Sequence, residues 1–308
     1  MVKSSTRNAL DALLARSPAL PAFRLASKGR LAVLAYHGVE DPDSFDGHLR
    51  EIVRSMRPVT VEEVASAVRQ SRSLPPRSVL VTFDDGHRSV MEQGLPLMRE
   101  YGIPGVVFVV AGLLDSDEPY WWSSVRELVL AGGRAEGFPD HLGPEEIVRR
   151  LKQVDDERRI RAIDELKSTA TVPAARHPQL RSEDLIGLES AGIAVGNHSL
   201  SHPCLVRCAP EKIRYEVAAA HENLVRALGH VPLAFAYPDG GCNGIARQAV
   251  EDAGYDLAFL FDHRLSGFPP EDPLRISRLR VDSDTRRDRF LAIVSGLHPA
   301  LHRMRGIP

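Results

Sequence analysis

The chain is poor in cysteine: three in 308 residues. That excludes a disulfide-dense scaffold, and the odd count leaves at least one thiol without an internal partner. It has no excess charge of either sign, with 39 Lys and Arg against 41 Asp and Glu for a net of −2. A protein built to grip nucleic acid needs a concentrated basic surface, so no nucleic-acid partner is expected. Apolar runs are short. None approaches the roughly 18–20 residues a transmembrane helix requires, and none near the start has the length of a signal peptide. Internal repeats and low-complexity segments are absent too. What remains is an ordinary globular composition, 43% hydrophobic and 26% charged, long enough for one large α/β domain.

The pattern along the chain alternates. Short β-branched, apolar runs at Leu31–Tyr36, Ser78–Phe83, Gly105–Val110, Ile193–Gly196, Leu233–Tyr237 and Asp256–Phe261 read as strands covered on both faces. Helical patterns fall between them: Thr60–Ser71, opening with the capping box TVEE, then Val90–Tyr101, Ser182–Ala191, Pro210–Leu228 and Ile245–Ala253. Several close on Gly, as at Gly102, Gly192, Gly229 and Gly254. This alternation predicts an α/β fold, a closed or partly closed parallel barrel over residues 31–290. The stretch 115–178, with Tyr120-Trp121-Trp122, Gly132-Gly133 and the charge-rich run 144–170, reads as a helical insertion between two barrel strands. Residues 1–30 read as a helical extension whose arginines admit peripheral membrane contact, and 291–308 as a C-terminal tail. The expected compartment is the cytoplasm.

Two motifs carry chemistry. Thr82-Phe83-Asp84-Asp85-Gly86 ends a buried apolar run, and adjacent carboxylates there are costly unless their charge is compensated. In a parallel barrel that strand end is where active sites lie. One Asp is then suited to hold a cation while the other faces water; the alternative is a helix cap. Asn197-His198-Ser199-Leu200-Ser201-His202-Pro203 also follows a strand. Its two His, four apart, are expected on one face of a single turn, within reach of one ion.

TFDDG followed more than a hundred residues later by H-S-x-x-H-P resembles the polysaccharide deacetylase family, the NodB-type carbohydrate esterases. The resemblance covers about Leu31 to Val281 and implies a distorted (β/α) barrel of about seven parallel strands. It implies a metal-dependent hydrolase of carbon–nitrogen bonds other than peptide bonds, removing an acetyl group, chiefly N-acetyl, from an amino sugar. The implied partner is an acetylated amino sugar or oligosaccharide, within a glycan, a glycolipid or an activated precursor. By position, Asp84 resembles the general base, and Asp85, His198 and His202 resemble the ligands of Zn²⁺ or another divalent cation such as Co²⁺, Ni²⁺ or Mn²⁺.

Tyr237-Pro238-Asp239-Gly240 resembles the family's third motif in its Y-P-x-G form. That implies an oxyanion contact from the backbone N–H of Asp239 near Tyr237, and the Arg that braces the catalytic Asp in the other form is missing from the motif. Tyr36-His37 resembles the branch containing poly-N-acetylglucosamine deacetylases, which makes His37 the general-acid candidate ahead of His263 and His298. Trp121, Trp122 or Tyr120 are candidates for a sugar-stacking wall, against plain packing. Other patterns are set aside. His221-Glu222 lacks the second His of a zinc-protease helix, Cys204 and Cys208 lack a second Cys pair, 240–244 lacks the Lys of a phosphate loop, and 282–284 reads as a solvated turn. Two other functions compete: a metal-free amidohydrolase of the same fold, and a non-catalytic carbohydrate-binding protein. Asp84 beside three intact ligands argues against both.

Overall fold

A computed structural model describes residues 11–304. Seven parallel strands form a curled half-barrel with helices around it, in the order β7-β6-β5-β4-β3-β1-β8. They are β1 (Ala32–Tyr36), β3 (Ser78–Phe83), β4 (Gly105–Val109), β5 (Ile193–Asn197), β6 (Ala234–Ala236), β7 (Leu257–Phe259) and β8 (Leu279–Arg280). The two-residue strand β2 (Arg57–Pro58) pairs alongside β3. Every residue of β1, β3 and β4 is buried, as helices on one side and a filled interior on the other demand. The edge strand β7 is joined to the segment leading into β8 by a parallel bridge, Phe259 to Ile276.

Register sets the site. Tyr36 pairs with Phe83, so His37 and Asp84 leave the sheet at one height. Asp84 N–H still donates to Tyr36 C=O at 2.9 Å. Val109 pairs with Asn197 and Asn197 with Phe235, which brings His198 and the turn after β6 to the same rim.

The helices follow their local signals. Thr60 caps the helix Val61–Arg69 in a full capping box with Glu63. The pattern over 90–101 is a π-helical turn, Val90–Gly94, followed by the α-helix Leu95–Tyr101. Pro96 near that junction has no N–H and crowds the preceding turn, which a wider turn relieves. The charge-rich run 144–170 is two helices, Pro144–Leu151 and Asp156–Thr169. With Trp121–Leu130 they enclose a small core of their own around Val125, Leu128, Leu151 and Leu166.

Three helices, like the two-residue strands β2 and β8, have no counterpart in the pattern reading. Helix Pro42–Ser55 starts at the Asp41 cap, and its His48 stacks on Phe290. Residues 291–308, expected as a tail, include the end of helix Arg287–Val294 and all of Leu297–Met304. Their Leu291 and Leu297 pack on Leu20 of helix Ala19–Ala26. In the expected solvated turn, Asp282 and Asp284 are exposed but Ser283 is buried, its hydroxyl accepting from Glu40 N–H at 3.0 Å.

Candidate active site

Asp84 and Asp85 emerge from β3 and are both buried. Asp85 takes a positive φ of 70°, a strained conformation of the kind that clusters at functional sites. Its Oδ1 lies 3.4 Å from His198 Nε2 and 3.3 Å from His202 Nε2. One ligand atom from each of the three residues falls within 4.8 Å of the others.

The His-bearing segment is an irregular loop rather than a helical turn, with Ser199 and His202 at φ 67° and 55°. Hydrogen bonds build it. Asn197 Oδ1 accepts from Ser199 N–H (2.7 Å) and Ser199 Oγ from His202 N–H (3.0 Å). Fully buried Glu216 accepts from Leu200 N–H, Ser201 N–H and the Ser201 hydroxyl. His198 Nδ1 sits 2.7 Å from Ala236 C=O, so it donates there and leaves Nε2 as the lone-pair nitrogen facing Asp85.

The electrostatics favour a cation. Burial pushes the His202 ring down to about 4, so near neutrality it offers a lone pair. Burial pushes His198 down too, but Asp84 and Asp85 outweigh it and hold that ring above its ordinary value. Burial raises the Asp85 carboxyl, yet the surrounding His198, His87 and His202 rings outweigh it and keep it well below the usual range. Asp85 Oδ1 and His202 Nδ1 are buried without hydrogen-bond partners. One carboxylate and two imidazoles converging with unpartnered atoms fit a divalent ion of the borderline class.

Asp84 is held differently. Arg278, fully buried, reaches it from the segment leading into β8, with Nη1 2.6 Å from Oδ1 and Nη2 2.8 Å from Oδ2. The brace absent from the Y-P-x-G motif is thus supplied from the segment just before β8. Burial raises the Asp84 carboxyl, but Arg278 and His198 bring it below its ordinary value. It is a carboxylate in the working state.

A model of the polysaccharide deacetylase family matches residues 71–138 and 143–258. The chain belongs to the polysaccharide deacetylase family. It is 24% identical over 225 residues to the poly-beta-1,6-N-acetyl-D-glucosamine N-deacetylase of Escherichia coli (strain K12), covering 68% of this chain and 29% of that protein. The chain therefore spans less than a third of that relative's length. Its fold resembles the Streptococcus pyogenes deacetylase PplD (TM-score 0.61, 17% identity, 86% and 98% of the two chains). It also resembles IcaB from Ammonifex degensii (TM-score 0.59, 20% identity, 87% and 97%).

The remaining candidates of this deacetylase-family chain lie as follows. His37 is half-buried, edge-on to Phe261 at 5.5 Å, and close enough to act on the charge of both Asp84 and Asp85. His263 and His298 face each other at 2.9 Å. His263 Nδ1 accepts from Arg280 N–H. Asp239 has φ 54° in a turn closed by Gly240 (φ 74°), where a Cβ would meet Phe261 N at 2.5 Å. The Asp239 side chain contacts Lys152 Nζ of the insertion and accepts from Cys204 Sγ (2.9 Å).

Three aromatic candidates are tied down by hydrogen bonds. Tyr237 is fully buried, its hydroxyl donating to Leu274 C=O. Tyr120 OH donates to Asp85 C=O at 3.2 Å, and Trp121 Nε1 donates to His202 C=O at 2.9 Å. The start of the insertion therefore grips the backbone of two candidate ligands. Half-buried Trp122 stacks on Tyr120 and lies 4.6 Å from the His202 ring. Sequence reasoning passed over Arg278, Glu216, Lys152 and His87, the last 3.6 Å from Asp85 Oδ2. Of these only His87 adjoins a motif, directly after Gly86.

Proposed function

We propose that this chain is a metal-dependent N-deacetylase of an amino-sugar polymer, of the β-1,6-linked N-acetylglucosamine type. The observation that carries the reading is the division of labour between two adjacent carboxylates. Asp85 faces two imidazoles with an unpartnered oxygen, while Asp84 is locked to Arg278 and takes no part in that cluster. The E. coli relative supports the choice of substrate.

Asp85, His198 and His202 would hold the ion, one of Zn²⁺, Co²⁺, Ni²⁺ or Mn²⁺. Its chemistry, when bound, is Lewis acidity toward water and the acetyl carbonyl. Asp84 takes the proton of the attacking water. Each of its oxygens spends one lone pair on Arg278 and keeps another free. The Asp239 N–H, presented by the turn at positive φ, donates to the developing oxyanion. His37, on the rim beside Asp84, gives a proton to the departing sugar amine, which leaves poorly as an anion.

Release of free amines from acetylated β-1,6-glucosamine oligomers by the purified chain tests the proposal. Free amines appearing at a rate proportional to enzyme support it. Acetate release only from O-acetylated sugars contradicts it.

A further inference from the structure

The chain's charge is unevenly spread. Residues 1–30 carry six cationic side chains and one carboxylate in a protein of net −2, and no carboxylate occurs from residue 12 to residue 39. In the fold residues 11–30 lead into the N-terminal end of β1, on the face opposite the Asp84–His198 rim. Arg77, just before β3, joins it there, its N–H donating to Lys28 C=O at 2.7 Å. Arg24, Lys28, Arg30 and Arg77 line a cavity of about 90 Å³ with no carboxylate in its wall among the described residues. Lys28, Arg30 and Arg77 are exposed and make no side-chain hydrogen bond or ion pair among the described residues. Arg24 Nη2 is buried without a hydrogen-bond partner, 3.6 Å from Glu51.

Beside these cations the surface is apolar where an exposed helix is ordinarily polar. Helix Ala19–Ala26 turns Leu20 inward, and its outward face is Pro21, Ala22, Leu25 and Ala26, all exposed. Leu13 and Leu25 are 66% and 64% exposed, and Met304 at the end of the helix packed against it is 81% exposed. An outward apolar stripe rimmed by unpaired cations is the pattern of a helix lying in the headgroup layer of an anionic bilayer. A soluble polyanion would use the cations but not the leucines.

We propose that this face docks the protein on an anionic phospholipid surface, with helix Ala19–Ala26 lying in the headgroup plane. The deacetylase rim then points away from the bilayer, open to a polymer at the membrane. The docking does not depend on the deacetylase reading, since its test reads binding alone.

Flotation of the full chain with phosphatidylcholine vesicles, with and without 30% phosphatidylglycerol (composition about 30 mol%), measures it. We expect at least about ten-fold more protein on the anionic vesicles and release at high salt, since each interfacial cation contributes about five-fold. The exposed pairs Leu13→Ser/Leu25→Ser and Lys28→Glu/Arg30→Glu should each abolish binding while keeping the wild-type circular dichroism and melting curve. Equal binding to both vesicles, or none, overturns the proposal. So does a leucine variant that still floats like wild type while a soluble polyphosphate competes, which marks a polyanion site. A vesicle-free dimer that the leucine variant dissociates also overturns it, because a second copy then covers the face.

Discussion

Arg278 and Asp84 form a two-pronged ion pair with both partners out of solvent, 194 residues apart in sequence. Bidentate pairing fixes the carboxylate plane as well as its charge. Breaking a buried pair from one side leaves the other charge stranded, typically at about 3–5 kcal/mol. Arg278→Met should therefore lower unfolding free energy by about that much, read by urea denaturation. Adding Asp84→Asn to it should recover much of the loss, a non-additivity that a purely local packing defect would not give.

Asp84→Asn should keep metal content near one ion per chain and lower turnover by about 10²–10⁴, because it removes a base and not a ligand. His198→Ala should lose metal and activity together. Metal analysis alongside initial rates separates the two, and full turnover by Asp84→Asn would refute the role given to Asp84.

How far the sequence carries is clear from these residues. Asp84, Asp85, His198 and His202 stand in short contiguous motifs at the ends of apolar strand patterns, so both identity and placement are legible. Arg278 is not. It lies in Ser277-Arg278-Leu279-Arg280, a run that reads as half-exposed because β8 is only two residues long and its neighbouring segment is irregular. Glu216 is hidden for a related reason: it sits within a long amphipathic helix whose charged residues otherwise read as a solvated face. Tyr120 and Trp121 have a role that pattern does not display. Their composition admits a sugar wall or plain packing, while their hydroxyl and indole N–H, invisible to pattern, are committed to the backbone of Asp85 and His202.

That commitment is testable. Trp121→Phe keeps most of the ring and removes the N–H, leaving His202 C=O without this donor; a lost hydrogen bond of this kind is worth about 1 kcal/mol. Metal affinity, measured by competition with a chelating dye, should fall by about five-fold, with the Michaelis constant for the oligomer unchanged. A raised Michaelis constant with unaltered metal affinity would instead place Trp121 against the sugar.

His37→Ala should slow N-deacetylation far more than hydrolysis of an activated aryl acetate. The aryl oxide leaves unaided, whereas acid help to an amine is worth about 10²–10⁴. His298→Ala should leave both rates near wild type. The ratio of the two rates in each variant decides between them.

Acid stability has a contributor away from the site. Burial raises the Glu51 carboxyl, but hydrogen bonding and charge from Arg54, with Ser55 and Arg287, bring it below its ordinary value. A carboxyl lower in the folded than in the unfolded state stabilises above its unfolded value and loses that contribution as pH falls through the folded one. Glu51→Gln should therefore melt lower than wild type at neutral pH and converge with it below about pH 4. Parallel melting curves across that range would show that Glu51 contributes through packing alone.

The most direct test of metal-dependent deacetylation is amine release from an acetylated glucosamine oligomer by exhaustively chelated protein, before and after Zn²⁺ or Co²⁺ is titrated back. Activity that vanishes on chelation and returns in full as the ion reaches one equivalent per chain is the predicted result. Turnover unchanged in metal-free protein would contradict the account and assign the chemistry to Asp84 and its neighbours without an ion.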